Sequence, residues 1–118
     1  MRVLVADDST VMRRIVVRTL RQAGIECTEV LEAANGAEAY EVALAEEPDL
    51  VLSDWNMPGM SGLDALRALR AAGSRVRFGF VTSESSDEMR AAATAAGAAF
   101  LIVKPFTPEN FRDALEPA

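Results

Sequence analysis

The sequence predicts a doubly wound, three-layer α/β domain, a parallel sheet with helices on both faces. Three observations lead there. Four short runs, residues 3–6, 50–53, 78–81 and 100–103, are continuously apolar or small, the pattern of strands buried on both faces. Segments with helical spacing separate them, and strand–helix–strand units joined in this way are right-handed almost always. Each run also ends on a residue that could handle a phosphoryl group or a cation: Asp7-Asp8, Asp54, Thr82 and Lys104. Open parallel sheets gather their chemistry at the carboxyl ends of the strands, where strand order reverses.

The elements follow in order. After the first strand, Ser9 or Thr10 can cap a helix whose Met12, Ile15, Val16, Thr19, Leu20 and Ala23 recur at helical spacing until Gly24 stops it. A second strand covers residues 29–33, and Asn35-Gly36 behind it is a turn signal. The helix over 37–46 ends before Pro48, and the third strand is 50–54. The loop 56–62 is dense in turn residues. A third helix carries Leu63, Leu66 and Leu69 and stops at Gly73; the fourth strand is 76–82. Ser85 with Glu88 three residues on reads as a capping box for a fourth helix that ends at Gly97. The fifth strand is 100–103. Thr107 as N-cap and Pro108 at the first helical position open the last helix, with Phe111 and Leu115 facing inward.

At 118 residues the chain is read as one domain, 1–118, with no room for a separate output module. A chain of this length buries roughly two-thirds of the surface it exposes unfolded, so it needs no staples. A net charge of −6 argues against sequence-general nucleic-acid binding. The single Cys27 allows no internal disulfide and fits a reducing compartment. The start is too short and too soon acidic for a signal peptide, and no apolar run approaches the ~20 residues of a membrane span. The expectation is a cytoplasmic protein without membrane insertion. Histidine is absent, so any metal must be held by oxygen, which favours magnesium, manganese or calcium. Any phosphohistidine must belong to another protein.

If the first and third strands are neighbours, Asp7, Asp8 and Asp54 converge, and like charges that close need a cation or a proton between them. Magnesium suits such a site. The alternative is that Asp7 and Asp8 only cap the first helix, favoured by its dipole. Asp54, shielded by a metal, could attack a phosphoryl donor and form an acyl phosphate. Lys104 could neutralise phosphoryl oxygens, and the Thr82 hydroxyl could donate a hydrogen bond to one.

In these motifs the chain resembles the receiver domains of bacterial response regulators, most closely the free-standing chemotaxis type. The resemblance spans essentially all 118 residues and rests on Ala6-Asp7-Asp8-Ser9, Met12-Arg13-Arg14-Ile15, the stretch from Asp54 to Gly62, Val81-Thr82, and Lys104-Pro105 with its flanks. It implies a flavodoxin-like (βα)5 fold with sheet order 2-1-3-4-5, the order known for the chemotaxis member. It implies Asp54 as phosphoacceptor, receiving its phosphoryl group from a histidine kinase or histidine phosphotransfer protein. Magnesium would be held by the Asp8 and Asp54 side chains and the Asn56 carbonyl, with Asp7 acting through water. Lys104 would bind phosphate, beside a cis bond to Pro105, and Thr82 would be the switch hydroxyl.

The same resemblance implies a signalling domain, not an enzyme, which assists only its own phosphorylation and dephosphorylation. Its output would be a protein target bound at the fourth helix, fifth strand and fifth helix, by a monomer. Asn56 and Glu84 would tune the lifetime of the acyl phosphate, and Ser83 is small, as access requires. One departure matters: the family's usual aromatic residue three before the lysine is Leu101 here, and Phe100 falls on the opposite face. That keeps open a phosphate sink or a receiver that works without phosphorylation. A metabolite phosphatase of the aspartyl-phosphate type would want Asp-x-Asp on the first strand, whereas Asp7 and Asp8 are adjacent. Arg13, Arg14, Arg18 and Arg21 make one flank of the first helix basic, either a solvated face or a docking surface. Met12, Met57, Met60 and Met89 read as packing and loop anchors.

Overall fold

Strand and helix alternate five times in the computed structural model, which describes residues 1–116. The elements are β1 (Arg2–Ala6), α1 (Thr10–Gln22), β2 (Glu29–Ala33), α2 (Gly36–Glu46), β3 (Leu50–Ser53), α3 (Gly62–Ala71), β4 (Arg77–Thr82), α4 (Asp87–Ala96), β5 (Phe100–Val103) and α5 (Pro108–Leu115). The strands form one parallel sheet in the order β2-β1-β3-β4-β5. The doubly wound fold and its strand order are those expected.

Side-chain alternation along each strand sorts the core into two layers. Val3, Val5, Leu50, Leu52, Val81 and Ile102 pack under α1 and α5 with Val16, Leu20 and Phe111. Leu4, Ala6, Val51, Phe78 and Phe80 pack under α2, α3 and α4 with Leu66, Leu69 and Ala93. Both faces of the central strands are buried, which is why their sequences are continuously apolar. Gly79 serves one contact: a Cβ there would collide with the Phe100 ring, which lies across β4. The Arg77 guanidinium sits 6.0 Å from the centre of that ring. Leu101, one residue on, packs against the other layer.

Of the two caps expected for α1 the structure takes Ser9, and the helix starts depart from expectation in two other places. Ser9, not Thr10, caps α1, accepting from the Met12 N–H at 3.1 Å. Asn35-Gly36 is not a turn but a helix start: Asn35 Oδ1 accepts from the Glu38 N–H at 2.9 Å, and Glu38 Oε1 accepts from the Ala34 N–H at 2.9 Å. The Ser85–Glu88 capping box does not form. Ser86 caps α4 through the Met89 N–H at 3.0 Å, and Ser85, one residue earlier, is left to accept from Arg90 at 3.4 Å. Two consecutive serines offer two registers, and only the one with extended backbone just ahead of the first helical turn can cap. The Thr107 cap forms as expected, with Asn110 completing a reciprocal box at 3.3 and 2.8 Å. Ile15, grouped with the α1 core by spacing, faces outward at 37% exposure, while Val17 is partly packed in the layer.

Candidate functional site

The site begins where the ladders end. The last β1–β3 pair is Ala6 with Ser53, beyond which the Asp54 N–H donates to the Ala6 carbonyl at 2.9 Å. The Asp7 N–H donates to the Ala33 carbonyl of β2 at 3.0 Å. These bonds leave Asp7 and Asp54 side by side at the point where strand order reverses. On the other side, β4 and β5 end at the pair Thr82 and Val103, and the Lys104 N–H donates to the Thr82 carbonyl at 2.8 Å.

Asp7, Asp8 and Asp54 each offer a carboxylate oxygen, and these oxygens all lie within 4.8 Å of one another. Lys104 Nζ stands 3.1 Å from Asp7 Oδ2 and 3.4 Å from Asp54 Oδ2. The remaining oxygens are held by backbone: Asp7 Oδ1 accepts from the Ser9 N–H at 2.9 Å, and Asp54 Oδ1 from the Trp55 N–H at 2.7 Å. Burial raises the Asp54 carboxyl above its ordinary range; the Lys104 ammonium opposes this and the Asp7 charge adds to it. Asp7 is buried, whereas Asp8 is exposed and makes no ion pair among the described residues. Three hard oxygen donors, one of them uncompensated, with no nitrogen or sulfur ligand in the group, fit magnesium well.

The other expected positions are placed as follows. Thr82 is fully buried, its Oγ accepting from the Glu84 N–H at 3.4 Å, at the end of the strand beside β3. Asn56, Ser83 and Glu84 are exposed. The Lys104–Pro105 bond is cis, as the resemblance implied.

Three residues that sequence reasoning missed hold the site together. Ser53 is fully buried, and its hydroxyl donates to the Asp54 carbonyl at 2.8 Å. Gly62 donates to the Trp55 carbonyl at 2.8 Å, and a Cβ on it would collide with the Asp54 carbonyl and crowd Ser53 Oγ. Arg13 Nη1 donates to the Asp7 carbonyl at 2.6 Å. A hydroxyl ending an apolar strand and a glycine opening a helix were the available signals. Nothing local marks Arg13, whose partner lies six residues back across the cap.

Among the described residues no helix is long and apolar enough to cross a membrane. The family model for the response regulator receiver domain matches residues 3–116. Chemotaxis protein CheY1 of Helicobacter pylori is 40% identical over 119 residues, covering 98% of this chain and 94% of that protein. The chain is also similar to the crystal structure of chemotaxis protein CheY4 from Vibrio cholerae, with a TM-score of 0.83 and 37% identity over 97% of this chain and 94% of that one. The signal receiver domain of the response regulator NarL from Mycobacterium tuberculosis gives a TM-score of 0.86 at 32% identity, over 97% and 91% of the two chains. Receiver domains are signalling domains and not enzymes in the ordinary sense. A sheet of order β2-β1-β3-β4-β5, an acidic cluster at its switch point and a lysine reaching into that cluster agree with these similarities, and the chain belongs to the response regulator receiver domain family.

Proposed function

We propose that this chain is a phosphoacceptor of two-component signalling, of the chemotaxis type, in which Asp54 takes a phosphoryl group from a phosphohistidine of a partner kinase or phosphotransfer protein. One observation carries the reading: the Asp54 carboxylate is grouped with Asp7 and Asp8 and shares the Lys104 ammonium with Asp7, at 3.4 and 3.1 Å. In the transfer, an Asp54 oxygen bonds to phosphorus as the phosphorus–nitrogen bond breaks. The electron pair leaves on the partner's imidazole, which takes a proton from solvent. Lys104 shifts its charge onto the new phosphoryl oxygens, and the Thr82 hydroxyl turns to donate to one of them. Asp8, Asp54 and the Asn56 carbonyl, with Asp7 through water, are the ligands we assign to magnesium, which when bound supplies positive charge against the phosphoryl oxygens. The changed surface of α4, β5 and α5 then binds a protein target. A cytoplasmic location suits the lone Cys27 and such partners.

The test uses acetyl phosphate with magnesium. The intact mass should rise by one phosphoryl group, labile to hydroxylamine, and Asp54→Asn should abolish the gain. Trp55, whose N–H holds Asp54 Oδ1, should report magnesium through its fluorescence, and Asp8→Ala should remove that response. A phosphoryl group retained by Asp54→Asn overturns the assignment.

A second reading, a phosphate sink that drains a kinase without binding a target, is favoured by Leu101. No aromatic ring stands there to couple Thr82 to the α4 face. Target capture that depends on phosphorylation decides between the two.

A further inference from the structure

On the β2 flank of α1, a groove of about 600 Å³ runs along the helix from Arg13 and Glu32, near the reaction edge, to Gln22, and β2 is an edge strand. Arg14, Arg18 and Arg21 line it above a floor that includes Val17 and Val30. All three arginines are exposed, and none makes an ion pair among the described residues, although the chain carries a net charge of −6. Arg13 is not available in the same way: its guanidinium is held by Glu32 at 2.9 Å, by the Asp7 carbonyl at 2.6 Å and by Thr10 at 3.1 Å. The groove is separate from the apolar hollow on the other flank of α1, where Met12 and Ile15 meet Lys104, Pro105 and Phe106 beside the reaction edge.

The spacing of the free arginines selects the kind of ligand. At a rise of 1.5 Å per residue, Arg14, Arg18 and Arg21 are offset along the axis by about 6 and 4.5 Å and share one flank. Such a ladder does not converge on a point, as a phosphate or small-anion site must. It matches a linear chain with carboxylates at intervals. The Val17 and Val30 floor adds a place for apolar side chains, and β2 leaves one backbone edge unpaired beside it. Nucleic acid is disfavoured by the negative charge of the rest of the molecule.

We propose that this α1–β2 groove docks an acidic segment of a partner protein, one in which carboxylates alternate with apolar residues, and that it does so without using Asp54. The proposal stands apart from the phosphoacceptor reading, and its test can fail independently.

The experiment titrates the full chain with a fluorescein-labelled peptide of alternating glutamate and leucine, reading anisotropy and amide shifts. The expected result is saturable binding, weakened by salt, with the shifted amides concentrated on residues 14–21 and 29–33. Arg14→Gln, Arg18→Gln and Arg21→Gln together should weaken binding about tenfold, and Arg18→Gln alone about two- to threefold. The triple variant should keep its mass gain with acetyl phosphate. No binding by the wild type, equal binding by the triple variant, or shifts centred on Asp54 would each overturn the proposal. So would equal affinity for a lysine-for-glutamate peptide, tighter binding of polyuridylate, or displacement of the peptide by pyrophosphate at equal concentration.

Discussion

Lys104 and Asp7, 97 residues apart in sequence, are joined by a 3.1 Å ion pair that reaches from one edge strand of the sheet over the ends of β4 and β3 to β1. Both side chains are largely buried, at 16% and 6% exposure. The lysine therefore has two duties: it compensates the buried Asp7 and, at 3.4 Å, the neighbouring Asp54.

Replacing Lys104 with methionine should expose that double duty. In metal-free buffer, Lys104→Met leaves Asp7 and Asp54 uncompensated and should lower stability by about 1–3 kcal/mol, less than for a fully dry pair because the site is still partly wet. Magnesium should bind the variant more tightly and recover most of the loss. Melting curves with and without magnesium check this. An unchanged midpoint with unchanged magnesium affinity would mean the ion pair contributes nothing.

The pH dependence of Asp54 has a definite sign. Its folded-state carboxyl is raised above 3.8, by burial first, so the folded chain holds that proton more tightly than the unfolded chain does. The contribution to stability is present at acid pH and is lost as pH climbs from 3.8 through the raised value. In metal-free buffer Asp54→Asn, neutral at every pH, should melt above the wild type at neutral pH, with the gap closing below about 3.8. A variant that melts lower at neutral pH would show that the Lys104 contact outweighs burial.

Gly62→Ala tests how tightly the acceptor strand end is built. The added methyl meets the Asp54 carbonyl and Ser53 Oγ, neither of which can retreat without breaking the Ser53–Asp54 bond. Overpacking of this kind costs about 1–3 kcal/mol. Phosphoryl acceptance from acetyl phosphate should slow by about tenfold as Asp54 moves out of line. Wild-type stability and rate would indicate that the loop yields freely.

Leu101 should limit how far phosphorylation is felt. A leucine differs less in buried area between inward and outward positions than a ring does. At ~25 cal/mol per Å², losing some tens of Å² weakens the bias between states by on the order of 1 kcal/mol. Beryllofluoride, a phosphoryl mimic, should shift amides strongly near Asp54, Thr82 and Lys104 and weakly on α4, and Leu101→Tyr should enlarge the α4 shifts. Large α4 shifts in the unmodified chain would show that the ring is dispensable.

What the sequence settled by itself was the set of buried strands and which polar residues stand at their ends. Continuous apolar runs require two covered faces, and a polar residue closing each run must emerge at one edge of the sheet, which places Asp7, Asp54, Thr82 and Lys104 together. The chain could not decide by itself which of several equivalent local choices was taken. Ser86 won over Ser85 because the extended backbone ahead of α4 falls at Ser86. Ile15 turned outward although it shares helical spacing with Val16 and Leu20, because spacing marks a face but not where a neighbouring layer stops covering it. Gly79 and Arg13 had no local signature at all, and Gly62 only that of a glycine opening a helix, since their roles depend on Phe100, the Asp7 carbonyl and Asp54 arriving from elsewhere in the fold. The pairing of Lys104 with Asp7 is of the same kind: strand order brings the two ends near, and only packed side chains determine which carboxylate the ammonium approaches more closely.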